Sequence, residues 1–166
     1  MKANKIKDVM KHVFKLSNII RYARINLFHK QTVAEHSFNV AVILLAILSD
    51  SRVLSYEEKF KVLAAGLLHD VEESLTGDII ATTKRHLSNI EAVEAQAAFD
   101  ILPFSLMRHW NGSRGLYKDI VKLADVFERQ LFCEEEISMG NLEKDLIVIK
   151  THAEEEIKRL EGRMEE

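Results

Sequence analysis

The stretch LLHDVEESLTGD (residues 67–78) places His69 beside Asp70 at the end of an apolar run, and further carboxylates follow before a Thr-Gly-Asp turn. His69 and Glu73 are four residues apart, so a helix carries them on one face. Ionised groups next to the apolar segment VLAAGLL are costly to bury without compensation. A bound cation would offset that cost. The stretch therefore predicts a metal ion near the end of a helix.

A metal site needs more donors than one His-Asp pair. His36 lies in TVAEHSFNVAVILLA, which is almost wholly apolar after the histidine, and Asp125 is a lone acid among apolar neighbours in DIVKLAD. Each alone is more often an ordinary polar residue than a ligand, but the set of His36, His69, Asp70 and Asp125 is much rarer by chance. Two imidazoles and two carboxylates suit Co²⁺, Mn²⁺, Mg²⁺, Zn²⁺ or Fe²⁺. The absence of a thiolate weakens the case for a structural zinc site.

Helical periodicity is widespread and strand-like alternation is absent. Three capping boxes, TVAE, SYEE and SNIE, predict helices over about 32–49, 55–74 and 88–101. Pro103 then interrupts the chain, and the turn residues of WNGSRG (110–115) predict a loop. Further helices are expected from about Leu116 to Ser138 and, after Gly140, to about Leu160. We predict an all-α, single-domain helical bundle of about six or more helices over residues 1–166.

The first segment carries an apolar stripe that includes Ile6, Val9, Met10 and Val13. Its lysines leave a membrane-surface helix open, although a core-facing helix is the commoner explanation. No signal peptide is visible, and the apolar run at residues 40–48 is shorter than the roughly 20 residues that span a bilayer. We expect a cytoplasmic protein without a membrane partner.

The 166 residues fit one domain, and the net charge of −3 gives no case for nucleic-acid binding. The single cysteine, Cys133, excludes a disulfide within the chain. We interpret Cys133 as a half-buried free thiol rather than a nucleophile.

The order His … His-Asp … Asp resembles the signature of the HD-domain metal-dependent phosphohydrolases. The segments VAEHSFNVA, AGLLHDVEESLTGDI and VKLADVFE resemble, more closely, the bacterial 5′-deoxynucleotidase family. The small relatives of that family include phage deoxynucleoside triphosphohydrolases and the group described as HD domain-containing protein 2. The resemblance runs from about Ile20 to Glu128, which is most of the chain.

The resemblance implies roles for residues at matching positions. The metal ligands would be His36, His69, Asp70 and Asp125. Glu73 would be the catalytic carboxylate, which activates or positions the attacking water or protonates the leaving oxygen. Asp78 would lie near the sugar and the scissile phosphate.

Other matching positions would surround the substrate. Arg21, Lys84 and Lys122 would bind phosphate, the arginine in a bidentate manner. Arg85, adjacent to Lys84, is an alternative phosphate contact, and a surface role stays open for Lys122. Tyr22 would pack on the sugar or base, although a core tyrosine is about equally expected.

Residues outside this set are interpreted as structural. Glu72 lacks the helical spacing to His69 and is predicted to lie at the surface. The remaining histidines have no ligand-like spacing, so they are expected to be surface or structural residues: His12, His29, His86, His109 and His152.

The leading functional hypothesis is hydrolysis of deoxynucleoside 5′-monophosphates to deoxynucleoside and phosphate. The close alternative is a dNTP triphosphohydrolase that releases deoxynucleoside and triphosphate with the same metal site. A non-catalytic HD regulatory module is disfavoured because all four ligand positions and Glu73 are intact. Hydrolysis of cyclic nucleotides or (p)ppGpp ranks third. The resemblance also implies a homodimer.

Overall fold

The computed structural model describes residues 3–115 and 117–164. Within these residues the chain forms nine helices and no named strand, which confirms the all-α prediction. We number the helices in chain order: α1 Ala3–Leu16, α2 Val33–Asp50, α3 Tyr56–Leu68, α4 Glu73–Thr76, α5 Ala81–Lys84, α6 Ile90–Ile101, α7 Phe104–Arg114, α8 Lys118–Ser138 and α9 Lys144–Met164. The predicted start of the long helix at Leu116 lies outside the described residues.

The centre of the fold is the packing of α2 against α3 and α8. Its buried side chains are Val40, Leu44, Leu48, Val62, Ala65, Val121 and Ala124. Gly66 permits the close approach of α2 and α3, because a Cβ atom there would clash with Leu44 Cδ1. Helix α9 covers the other side of α8 through a second cluster, formed by Leu123, Val126, Ala153, Ile157 and Leu160.

A third cluster lies beneath the turn that follows α3. It joins Val71 in that turn to Ala98 and Ile101 in α6 and to Trp110 in α7. Helices α6 and α7 therefore support the segment that contains His69 and Asp70.

Two of the three predicted capping boxes are present. The side chains of Thr32 and Ser55 accept hydrogen bonds from the N3 backbone amides, and Glu35 and Glu58 reach back to the N-cap amides. The third prediction is wrong, because α6 begins one residue later with Asn89 at its N-cap and no side-chain cap.

The helix predicted over 55–74 is interrupted. Helix α3 ends at Leu68, and the next turns close with three-residue spacing, from Val71 N–H to Leu68 O (3.2 Å) and from Glu73 N–H to Asp70 O (3.1 Å). Nδ1 of His69 lies 2.6 Å from the carbonyl oxygen of Gly66. In a continued α-helix, the Asp70 amide would donate its hydrogen bond to this same oxygen.

The loop predicted at WNGSRG is also wrong, because α7 continues through this segment to Arg114. Turn propensity is overridden here by packing. Trp110 is buried, and the guanidinium carbon of Arg114 lies 3.8 Å from the centre of the Trp110 ring.

The apolar stripe of α1 faces the core only in part. Val9 packs against the cluster beneath the α3 turn, whereas Ile6 and Met10 are exposed. In the described part of the chain one helix, α2, is long and apolar enough to cross a membrane by length and composition, with a mean hydropathy of 1.4. A core helix passes the same test, and α2 buries Val40, Leu44 and Leu48 in the centre of the fold.

Cys133 is fully buried beside Phe132 and Leu146, which corrects the half-buried position expected from the sequence. Burial raises the pKa of its thiol to about 11. The thiol is therefore protonated at neutral pH, which agrees with a packing role rather than a nucleophilic one.

Glu136 fastens the α1–α2 connection to α8. Its buried carboxylate accepts hydrogen bonds from the backbone amides of Phe28 (2.9 Å) and His29 (2.7 Å) and from the side chain of Asn141 (2.7 Å). Burial alone would raise the pKa of Glu136, but these hydrogen bonds outweigh it and hold the pKa below its usual value. The contribution of Glu136 to stability is therefore present near neutral pH.

We expect Glu136→Gln to lower the free energy of unfolding by about 1–3 kcal/mol at pH 7, because the amide loses one acceptor oxygen. Since the folded-state pKa is depressed, the stabilisation by Glu136 is complete above its unfolded value of about 4.3 and is lost as the pH falls through the folded value. Urea unfolding of wild type and variant from pH 7 to pH 3 should show a difference that shrinks below about pH 4.3. Glu135→Gln, at an exposed neighbour, should show neither effect; a pH-independent difference for Glu136→Gln would contradict the prediction.

Candidate metal centre

Three parts of the fold bring the predicted ligands together. His36 lies in the first turn of α2, His69 and Asp70 follow the end of α3, and Asp125 lies in α8. One donor atom each from His36, His69 and Asp125 lie within 4.8 Å of one another. Nε2 of His36 is 3.3 Å from Oδ1 of Asp125 and 3.6 Å from Oδ2 of Asp70, and Nε2 of His69 is 3.1 Å from the same Asp70 oxygen. His36, His69 and Asp125 therefore converge on one point, and Asp70 lies beside both imidazoles.

The donor atoms fit a divalent cation. Nε2 of His36 and Nε2 of His69 are both buried and lack a hydrogen bond of acceptable geometry, although carboxylate oxygens lie close by. The other ring nitrogens are occupied, because Nδ1 of His36 lies 2.6 Å from Oε2 of Glu128 and Nδ1 of His69 lies 2.6 Å from the carbonyl of Gly66. Metal-ligating histidines are commonly held in this way. A cation would satisfy two nitrogens that are otherwise costly to bury.

Glu128 is a functional residue that the sequence reasoning did not assign. It is buried, and it accepts hydrogen bonds from Gln31 (2.6 Å), Asn39 (3.1 Å) and Arg21 (3.2 Å) in addition to its bond with His36. Its signal in the sequence is its position three residues after Asp125, on the same side of a helix. Glu128 orients His36 so that Nε2 faces the other ligands.

The carboxylate of Asp125 is also oriented by neighbouring side chains, which bind the oxygen that faces away from His36. Oδ2 accepts hydrogen bonds from Lys122 (2.8 Å) and Arg129 (3.1 Å), so Oδ1 is directed towards His36. Burial opposes the charge of Asp125, but these two cations outweigh it and hold the pKa of the carboxyl well below its usual range. Asp125 is therefore ionised, as a metal ligand must be.

His69 and Asp70 form a charged pair before any cation binds. Burial opposes a charge on His69, but the Asp70 carboxylate raises the pKa of the imidazole to about 9. In turn, His69 outweighs the burial of Asp70 and lowers the pKa of the Asp70 carboxyl. A metal ion must displace the proton of His69, so metal affinity should fall at low pH.

Glu73 is the first residue of α4 and is buried. Burial, and after it the carboxylates of Asp70 and Asp78, raise the pKa of Glu73 to about 10. Asp78 accepts a hydrogen bond from the backbone amide of Tyr22 at 3.3 Å, which ties the Thr-Gly-Asp turn to the α1–α2 connection. The structure therefore brings both predicted catalytic carboxylates to the side of the metal ligands.

The predicted phosphate-binding and sugar-binding residues are near the same site, and their roles stay predictions. Arg21 is buried and lies 4.0 Å from Asp125. Lys84 pairs with Glu94 at 2.7 Å, and Lys122 pairs with Asp125 as described above. Tyr22 has a left-handed backbone with φ of 55°, which is uncommon for a residue other than glycine, and its ring stacks on Phe132.

Glu72 is not at the surface, which corrects the prediction. It is 1% exposed and accepts hydrogen bonds from Trp110 Nε1 (2.7 Å) and Arg114 Nη2 (2.6 Å). Helical spacing misplaced it because α3 ends before it, so the chain turns Glu72 towards α7 while Glu73 faces the ligands.

Solved structures share this fold. A protein from Pyrococcus horikoshii has 25% sequence identity and a TM-score of 0.75, and the match covers 94% of this chain and 90% of that one. An HD phosphohydrolase of cyanophage S-2L (DatZ), solved bound to dA and one catalytic Zn²⁺ ion, has 19% identity and a TM-score of 0.70 over 90% of this chain and 82% of its own. The chain therefore shares the fold of a solved HD phosphohydrolase.

Comparisons of the amino-acid sequence identify the family of this chain. A family model described as 5′-deoxynucleotidase YfbR-like matches residues 8–166. The 5′-deoxynucleotidase of Shewanella oneidensis is 27% identical over 147 residues, which is 80% of this chain and 75% of that protein. A 5′-deoxynucleotidase of Yersinia pestis is 28% identical over 149 residues, with the same coverage. The chain belongs to the YfbR-like 5′-deoxynucleotidase family, which confirms the predicted resemblance.

Because Glu128 orients His36, we expect Glu128→Gln to weaken the binding of Co²⁺ to metal-stripped protein by about 10- to 100-fold. Calorimetric titration at pH 7.5 would give the dissociation constant, and circular dichroism would check the helical content. Glu135→Gln, an exposed position on the same helix, should bind Co²⁺ like the wild type. An unchanged dissociation constant for folded Glu128→Gln would exclude this role for Glu128.

Proposed function

We propose that this protein hydrolyses deoxynucleoside 5′-monophosphates to deoxynucleoside and phosphate at the His36, His69, Asp70 and Asp125 centre. The observation that carries the proposal is the pair of buried, unsatisfied Nε2 atoms facing two aspartates in a chain of the 5′-deoxynucleotidase family. That family membership supports the class of enzyme, and the intact donor set argues against a non-catalytic module.

The reaction breaks the bond between phosphorus and the 5′ oxygen. His36, His69, Asp70 and Asp125 would hold a divalent ion, which would polarise a phosphoryl oxygen and help to ionise the attacking water. The oxygen of water becomes bonded to phosphorus, and the leaving 5′ oxygen takes up a proton to become the nucleoside hydroxyl. Ser and Cys nucleophiles are not required, and Cys133, with its raised pKa, is buried.

Glu73 is suited to handle the proton. Its pKa is raised by burial and by two neighbouring carboxylates, so it carries a proton at neutral pH that it can donate to the leaving oxygen. Asp78, which accepts a hydrogen bond from the Tyr22 amide, would lie near the sugar and the scissile phosphate. Tyr22 would pack against the sugar or base.

The charges around the centre favour a monophosphate over a triphosphate. Five basic side chains around the centre each have a carboxylate partner: Arg21 with Glu128, Lys84 with Glu94, Arg114 with Glu72, and Lys122 and Arg129 with Asp125. A triphosphate would need additional uncompensated cations for its β- and γ-phosphates. Arg21, Lys84 and Lys122 would contact the single phosphate, in part by exchanging their carboxylate partners for it.

We expect metal-stripped protein supplied with Co²⁺, Mn²⁺ or Mg²⁺ to release nucleoside and phosphate from deoxynucleoside monophosphates. Asp70→Ala should abolish this turnover, because a ligand is lost. Chromatography of the products from ribo- and deoxy-mono- and triphosphates would identify the bond that is cleaved. Asp100→Ala, at an exposed position in α6, is the matched control and should be active. Release of nucleoside and triphosphate would instead support the triphosphohydrolase alternative.

We also propose that two copies of the chain form a dimer through an apolar surface of α2 and α8. Phe38, Val42 and Leu45 are exposed on α2 at helical spacing, and Leu131 of α8 is exposed beside Phe38 and Val42 around one cavity of about 300 Å³. A twofold interface buries the same surface on both copies, so one apolar surface is sufficient. The homodimer implied by the family resemblance supports this choice of occupant.

Leu131→Glu should therefore convert a dimer into a monomer, because two carboxylates would be buried against the partner's apolar side chains. Light scattering coupled to size-exclusion chromatography would measure the mass. Leu142→Glu, at an exposed residue outside this surface, should not change the mass. A wild-type monomer at micromolar concentration would contradict the proposal.

The remaining expectations stay proposals. We infer a single domain over residues 1–166, which is supported by the shared packing of α2, α3, α8 and α9 in neighbouring core clusters. We also infer a cytoplasmic location, as expected from the sequence.

A further inference from the structure

A partly buried charge network lies behind the His69-Asp70 turn, and it is linked to the phosphate-binding residues proposed above through Lys84, which pairs with Glu94. It comprises Glu72 in the turn, Glu94 in α6, and Trp110 and Arg114 in α7. Glu72 is 1% exposed, Trp110 is 2% exposed and Glu94 is buried. These residues make no contact with the converging donor atoms, so their contribution must pass through the turn itself.

Arg114 is the centre of this network. Nη1 donates to the backbone carbonyl of His69 at 3.1 Å, and Nη2 donates to Oε1 of Glu72 at 2.6 Å and lies 3.4 Å from Oε2 of Glu94. The guanidinium carbon of Arg114 lies over the Trp110 ring, 3.8 Å from the ring centre. Trp110 in turn donates from Nε1 to the other oxygen of Glu72 at 2.7 Å. The guanidinium of Arg114 is therefore held by the His69 carbonyl, by carboxylates and by the ring of Trp110.

The contact with His69 O satisfies a group that the end of α3 leaves open. The last carbonyls of a helix have no intrahelical partner. Here the carbonyl of Gly66 is taken by the His69 side chain and that of Leu68 by the amide of Val71. The carbonyl of His69 is taken by Arg114. One guanidinium thus holds the backbone of one metal ligand, and it also holds Glu72, which follows Asp70 by two residues.

The directions of the hydrogen bonds in this network, rather than its burial, argue for a role beyond general stability, since the side chain of Arg114 is 35% exposed. Apolar residues of similar volume often replace a buried ion pair without loss of stability. A planar fork that binds a carbonyl and a carboxylate at once cannot be replaced by an apolar side chain, because the directions of its hydrogen bonds are fixed. Such a group is suited to fixing the geometry of a turn.

We propose that Arg114, oriented by Glu72 and Trp110, is a positioning residue that fixes the turn in the conformation that directs His69 and Asp70 to one metal ion. This inference rests on the metal centre and is independent of which nucleotide is hydrolysed. Its effect should be visible in metal binding before any substrate is added.

The test is a titration of metal-stripped Arg114→Met with Co²⁺, whose visible absorption reports the geometry of its ligands. Met keeps an apolar stem against Trp110 but lacks the fork. We expect the dissociation constant to rise by about 10- to 100-fold, as for other groups that orient ligands, and the absorption bands to change shape. Arg114→Lys, which keeps the charge and one donor group, should recover part of the affinity. Arg108→Met, at an exposed position in the same helix, should match the wild type in both respects.

A folded Arg114→Met protein with wild-type Co²⁺ affinity and an unchanged spectrum would overturn the proposal. If Arg114→Met does not fold, Glu72→Gln decides, because it keeps the volume and an acceptor for Trp110 but places an amide against Arg114; unchanged Co²⁺ affinity and spectrum in that variant would overturn the proposal equally. Since no nucleotide is present, normal Co²⁺ binding by the wild type without turnover of any nucleotide would contradict the proposed function and leave this inference standing.

Discussion

The end of α3 is the constraint on which the rest of the site depends. If the helix continued past Leu68, the Asp70 amide would bond to the Gly66 carbonyl, and the residues that follow would keep the regular rotation of about 100° per residue. Instead the His69 side chain takes that carbonyl, and tight turns follow. His69 and Asp70 then face α2 and α8, and Glu73 starts a new short helix on the same side.

The electrostatic design of the site follows from this geometry. Four carboxylates lie in a buried region, where an uncompensated charge costs free energy. They belong to Asp70, Glu73, Asp125 and Glu128. Glu128 and Asp125 are compensated by fixed cations and by His36, and Glu73 avoids the cost by keeping its proton. Within the described residues, Nε2 of His36 and Nε2 of His69 are buried without a hydrogen-bond partner, as is the hydroxyl of Tyr22. The two nitrogens face the position where a cation would bind.

The sequence was informative where chemistry depends on residue type. His36, His69, Asp70 and Asp125 were predicted because such a set of histidines and aspartates in largely apolar segments is rare by chance and because it matches the signature of a known family. Their supporting residues were harder to predict, since Glu128 looks like an ordinary helix surface residue until tertiary packing buries it, and Arg114 lies in a segment that was predicted as a loop. Glu72 was misplaced and WNGSRG was read as a loop for the same reason. Helical spacing and turn propensity are local, whereas the break after Leu68 and the packing of Trp110 depend on contacts distant in sequence.

The spacing of residues along helix α8 fixes the relative positions of three side chains with separate roles. From one side it presents Asp125, Glu128 and Glu136, which serve respectively as a metal ligand, an orienting partner and a fastening for the α1–α2 connection. Adding or removing one residue within it would rotate everything beyond that point by about 100° and detach these roles from one another. Members of a family built on this plan can therefore differ in length at the joints between helices, whereas the spacing along α8 must be inherited unchanged.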